Sequence, residues 1–222
     1  MASKYLLNNQ YDFFNIGVQS LFSSQLNNTG YNIVDFLLNE TDNNSTSSQN
    51  IEIENKKHID LLRRNESYFI QLLLNADFED GNSNEAIEYI DKQLNTNSIA
   101  TSNWIAEIFS KYSISEDVAN ENSRIILYGL LRIIAYLNNY DCFDYIKGPL
   151  MLILKISLDS NIPYLQEAGL MVIESWRSPD CLRLLNEETF SNNYISKYSN
   201  LLRNELTEEL SNYNEVRSCS FA

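Results

Sequence analysis

Tyr128–Ile146, YGLLRIIAYLNNYDCFDYI, and Ala168–Leu185, AGLMVIESWRSPDCLRLL, are two copies of one pattern. Gly129 aligns with Gly169, Leu130 with Leu170, Ile133 with Ile173 and Tyr136 with Trp176, all at a spacing of 40 residues. After a one-residue slip, Asp141-Cys142 meets Asp180-Cys181. Apolar residues at three- and four-residue steps make each copy an amphipathic helix. A polar corner follows, Asn138-Asn139 in one copy and Ser178-Pro179 in the other. Ser178 has the side chain of an N-cap and Pro179 the fixed φ of a first helical residue, so a shorter helix starts there. A glycine inside a helix costs about 1 kcal/mol against alanine. Two of them at equivalent positions predict that a neighbouring helix comes close to each.

Working outward, Gly148-Pro149 is expected to break the chain and start a helix over Leu150–Leu158, and Asn161-Ile162-Pro163 to open the next unit. Ile125–Leu137 and Leu150–Leu158 are apolar nearly all round, which places them between neighbours. Downstream, Asn192–Tyr213 carries one stripe, Tyr194, Tyr198, Leu201, Leu202, Leu206 and Leu210, with Arg203, Glu205, Glu208 and Glu209 opposite. One buried and one solvated face is what the last member of a stack requires. Upstream, Ile59, Leu62, Phe69, Leu72, Leu73 and Ala76 mark a helical face that ends at the turn Asp77–Asn82. Asn82 with Glu85 has capping-box spacing before a helix to Leu94, and Ser113 with Glu116 has it before the helix that reaches Leu137. Between them Thr101 or Ser102 opens a helix carrying Trp104, Ile105, Ile108 and Phe109.

The stretch from residue 100 to 213 resembles HEAT and armadillo repeats, most closely in Ile162–Leu185, with its early proline, Ala168-Gly169-Leu170 and Asp180 after the corner. The resemblance implies an all-α fold of stacked antiparallel hairpins, a HEAT/armadillo-like α-solenoid or irregular α-α superhelix. It also implies a scaffold that grips partners with one row of helices. The expected organisation is an N-terminal helical segment over 1–40 (helices Tyr11–Phe22 and Asn32–Glu40), a polar linker or loop over 41–50, helical repeats over 51–213 and a flexible tail over 214–222.

Composition agrees with this architecture. Six glycines and three prolines among 222 residues are too few for the many tight turns of a sandwich or barrel. The formal charge of −14 repels phosphate backbones and favours a basic protein partner over direct contact with nucleic acid. The longest apolar run, Ile125–Leu137, is interrupted by Arg132 and too short to cross a bilayer, so no membrane partner is expected. Three cysteines and a first segment, MASKYLLNNQ, without an apolar core lead to the expectation of a reducing, cytoplasmic setting.

Few constellations offer chemistry. His58 is the single histidine and reads as a solvated residue at a helix start, which rules out a multi-histidine zinc site. No GxGxxG or GxxxxGK[ST] occurs. Cys142 and Cys181, at matching repeat positions, read as buried small side chains. From Asp77 the glycine of DFEDGN falls fifth, not at the sixth position of a calcium loop. The terminal Cys219-Ser220-Phe221-Ala222 lacks the first aliphatic residue and the upstream basic cluster of a prenylation signal. No cofactor or metal is expected, and no catalytic residue is assigned.

Aromatic and acidic residues crowd the repeat corners instead. Tyr128, Tyr136, Tyr140, Asp141, Asp144, Tyr145, Trp176 and Asp180 are the candidate protein-binding residues, since tyrosine supplies contact area with a polar tip. The functional expectation is a non-enzymatic scaffold or adaptor with an acidic surface. The alternatives are an acidic inhibitor of a basic, nucleic-acid-processing protein, of the immunity or anti-defence kind, and a helical enzyme with a carboxylate-lined pocket.

Overall fold

Residues 45–78, 84–114, 120–137 and 143–219 are described by the computed structural model, and among them there are eight helices and no strand. They are α1 Ser45–Arg64, α2 Glu66–Asn75, α3 Glu85–Ile114, α4 Glu121–Tyr136, α5 Phe143–Asp159, α6 Pro163–Trp176, α7 Pro179–Glu187 and α8 Asn193–Cys219. The expected helices Tyr11–Phe22 and Asn32–Glu40, and the turn residues 79–83, lie outside the described residues.

Several boundaries follow their caps. The Asn120 Oδ1 accepts the amide of Asn122 to open α4, the Ser178 Oγ accepts that of Cys181 to open α7, and the Asn192 Oδ1 accepts those of Tyr194 and Ile195 to open α8. Other boundaries differ from expectation. Helix α1 begins at Ser45, inside the stretch read as a linker, and α8 runs to Cys219, into the stretch read as a tail. Asn84, not Asn82, caps α3 by accepting from Ala86 and Ile87. Helix α4 starts from Asn120, not from the Ser113 signal. Helix α3 is two helices joined at Asn97 (φ −157°, ψ 94°), whose Oδ1 accepts the Ala100 amide and so starts the second half ahead of Thr101. Pro149 does not break the chain: it lies inside α5. Proline removes one helical hydrogen bond, but its φ is helical. The burial of Leu150, Ile153 and Leu154 on the same helix holds it continuous.

Alternate helices are neighbours. Helices α1, α3 and α5 pack in one row and α2, α4, α6 and α8 in another, with α3 on α4 and α5 on α6 joining the rows. For α1 with α3 and α4 with α6 the residue numbers of contacting partners rise together, so these neighbours run parallel. Arg124 lies over the Tyr164 ring, Arg132 reaches the Met171 sulfur and the Ser175 Oγ donates to the Ala135 carbonyl, pairing α4 with α6 along its length at separations close to 40 residues. Asn97–Asn55 and Arg63–Glu107 do the same for α1 and α3. This packing fits a solenoid and equally a helical bundle.

Both repeat glycines sit where the sequence reading put them, at close approaches. A Cβ on Gly129 would lie 2.9 Å from the Phe78 ring and 3.1 Å from Leu73. The next turn of α4 secures the same segment, because the buried Arg132 donates to the Phe78 carbonyl at 3.1 Å. A Cβ on Gly169 would lie 2.4 Å from the Ser157 Oγ of α5. The last carbonyls of a helix lack its regular amide partners. Two carbonyls of the last turn accept from the next unit, Ala135 from Ser175 at 2.6 Å and Ile134, which also accepts the Leu137 amide, from the Trp176 indole N–H at 3.0 Å.

His58 is a correction. It lies in the middle of α1 at 9 % exposure, next to the buried Ile59 and on the face of the buried Asn55 and Leu62, three and four residues away, and its Nε2 is buried without a hydrogen-bond partner. Burial pushes its pKa below the ordinary 6.5. The unfolded chain therefore takes up the proton first as pH falls. The stabilisation is complete above about 6.5 and is lost as pH drops from there through the lower folded value. Urea midpoints between pH 7.5 and 5 should fall in the wild type, by less than the ~1.4 kcal/mol per pH unit of one fully transferred proton. In His58→Gln that component should be missing, and identical profiles for the two proteins would refute it.

Candidate protein-binding surface

Among the eight residues singled out at the repeat corners, Tyr140 and Asp141 lie outside the described residues, and Asp144 and Tyr145 are described only as part of the α5 backbone. Tyr128 is exposed on α4, and Tyr136 is half-buried at its end. Trp176 is 6 % exposed, with its N–H used by Ile134 and its ring edge-on to Phe143 at 4.8 Å. Its contact area is spent inside the stack. Asp180 pairs with Lys147 of α5 and with Arg183 at 3.2 Å, tying α7 to α5.

A second aromatic and acidic surface lies between α6 and α8. The buried seam of α8 is Ile195, Ser199, Leu202 and Leu206. That is about one step round from the expected stripe, and it leaves Tyr194 60 % and Leu201 56 % exposed. The Tyr194 hydroxyl donates to the Glu167 Oε1 at 2.9 Å and the Tyr198 hydroxyl to the Glu174 Oε2 at 2.5 Å. Arg177 follows at the end of α6, forked onto both Glu209 oxygens at 2.7 Å with Glu205 at 3.5 Å. It takes a left-handed conformation (φ 42°) to end the helix. The three rungs are spaced along both helices, which sets the two parallel.

The bond to Glu167 raises the Tyr194 phenol above its ordinary pKa, and burial with the Glu174 bond raises that of Tyr198 further. Both therefore remain hydrogen donors near neutral pH. Each glutamate uses one oxygen for its rung and, among the described residues, has no protein partner on the other. The sequence held a signal for part of this surface: Tyr194, Tyr198 and Leu201 fall at helical spacing. It held none for the glutamates, because their pairing crosses from one helix to another.

A polar cleft of about 430 Å³ opens beside the α7–α8 connection, lined by Leu158, Asp159, Gln166, Glu188, Phe190 and Ser191 among others. Lys155 donates to Asp159 at 2.7 Å and also to Glu188. Burial pushes the Glu188 carboxyl up, while the lysine beside it works the other way. The Gln166 amide nitrogen donates to the Leu158 and Ser160 carbonyls. These groups close the α5–α6 corner onto the connection. No group of three or more potential metal-ligating side chains occurs among the described residues, and none of the helices they form is long and apolar enough to cross a membrane.

No known protein family matches this chain, and neither a curated protein nor a solved structure is similar to it.

Proposed function

We propose that the chain is a non-enzymatic scaffold of HEAT-like type, working in the reducing cytoplasm, whose acidic surface receives a basic protein. The observation that carries this reading is the α6–α8 surface. Two outward-facing carboxylates, each held by a tyrosine hydroxyl, stand beside large side chains left in solvent. Exposed aromatic and aliphatic groups rimmed by polar ones mark contact surfaces on soluble proteins. The charge of −14 supplies long-range attraction for a cationic partner. The odd number of cysteines, three, supports the reducing setting. The carboxylate pocket that an enzyme would need has its counterpart in the Glu188 cleft, and there the acid is engaged by Lys155.

Affinity capture from the native source, with the full-length protein as bait, tests this. At low salt the recovered partners should be basic, and most should elute between 0.1 and 0.5 M salt, roughly the range over which screening removes exposed charge pairs. Recovery of acidic partners only, or a complex indifferent to salt, would overturn the basic-partner reading.

A further inference from the structure

The α6–α8 surface has a chemistry narrower than general acidity. Glu167 and Glu174 are two turns apart on α6, about 10.5 Å along the helix at 1.5 Å per residue. Each presents an oxygen with no protein partner among the described residues, next to a tyrosine ring. The rings of Tyr194 and Tyr198 have centroids 6.5 Å apart and planes tilted by 39°, and the Tyr194 ring is mostly in solvent. Leu201 continues the exposed line along α8.

A cation suited to this arrangement must lie flat on a ring while offering N–H groups sideways to a carboxylate. Guanidinium does both, being planar, weakly hydrated and forked, whereas an ammonium is a compact and strongly hydrated point charge. The protein already contains the carboxylate half of such a contact in the same row: Arg177 lies forked on Glu209 at the third rung. The first two rungs have the acid and an aromatic ring but, among the described residues, no arginine. Lys197, exposed on the outer side of α8, narrows the approach to the α6 side.

We propose that the α6–α8 surface is a docking track for an arginine-bearing segment of a partner protein. One guanidinium stacks on Tyr194 and bonds to Glu167, a second bonds to Glu174 beside Tyr198, and an apolar side chain of the same segment covers Leu201. This rests on the reading of the chain as a binder of basic proteins and specifies where and through which side chain it binds.

Fluorescence anisotropy with the full-length protein tests the track, using two labelled peptides of equal charge and length. One carries arginines seven residues apart on a helical framework, and the other carries lysines at the same places. The arginine peptide should bind about ten-fold tighter, as expected for a stacked and forked site. Tyr194→Ala and Glu167→Gln should each bring it to the level of the lysine peptide, while Tyr194→Phe, which keeps the ring face, should lose less than about three-fold. Glu54→Gln, the same charge change on the exposed side of α1, serves as the control and should leave binding unchanged. Tyr194 is solvent-exposed, and circular dichroism confirms that the variants are folded. Equal binding of both peptides, or equal losses from Glu54→Gln and Glu167→Gln, overturns the track while leaving the basic-partner reading in place. Failure of both peptides to bind at low salt overturns the two together.

Discussion

Trp104→Ala should lower stability by about 4 kcal/mol, within the range for emptying a buried tryptophan site. The side chain is fully buried in α3, with its ring 5.1 Å from that of Phe69 and 6.4 Å from that of Tyr89. These rings join α2 to both halves of α3, so the cavity would open where the kinked helix depends on its neighbour. At the ~2–4 °C per kcal/mol usual for a chain of this length, the melting temperature should fall by roughly 10 °C. Trp104→Phe is expected to cost much less than half as much. It keeps most of the ring contact and removes an indole N–H that is buried without an acceptor. Thermal unfolding followed by circular dichroism separates the two substitutions. Since the sequence has two tryptophans, Trp104→Phe also leaves Trp176 as the single indole reporting on the α4–α6 contact. A loss under about 1 kcal/mol for Trp104→Ala would place this cluster outside the core.

The second large effect is expected at Gly169, where α6 packs tightly on α5. Gly169→Val should destabilise by about 3 kcal/mol, the upper part of the range for overpacking. Its Cβ would fall 2.4 Å from the Ser157 Oγ and 3.1 Å from Leu158, both fully or almost fully buried. Ser157 has little freedom to yield, because its hydroxyl donates to the Leu154 carbonyl at 2.7 Å. Gly169→Ala should be milder, since helix propensity returns about 1 kcal/mol. In a Ser157→Ala background the obstructing oxygen is gone, and Gly169→Ala should then become neutral or stabilising. Additive urea-denaturation energies for that pair would show that the two residues do not meet.

The fold class was legible because helical spacing is a local property. Ile59, Leu62, Phe69, Leu73, Trp104, Ile105, Ile108 and Phe109 stand out by spacing alone and are buried, while Leu72 and Ala76 of the same stripe are half-buried. The glycine alignment carried further, since both glycines occupy close helix approaches. Sequence and structure part where a local signal competes with packing. The polar run Lys56-Lys57-His58 looks solvated until its third member is seen to share a face with Ile59 and Leu62. Gly148-Pro149 looks like a break, yet the buried residues on either side keep α5 continuous. On α8 the aromatic residues suggested the buried stripe, but the seam runs through Ile195 and Ser199, and Tyr194 is left outside to bond with Glu167. That bond joins residues 27 apart on different helices, and no periodicity within either helix encodes it.

The main packing partners of every described helix are those one or two places away in the chain. Among the described residues each helix therefore leans mainly on those just before and just after it. Where packing is that local, a chain can gain or lose a pair of helices more easily than where every element meets a common centre. A duplicated or deleted pair disturbs a single junction, and the 40-residue echo of Gly129 in Gly169 has the form such an event would leave behind.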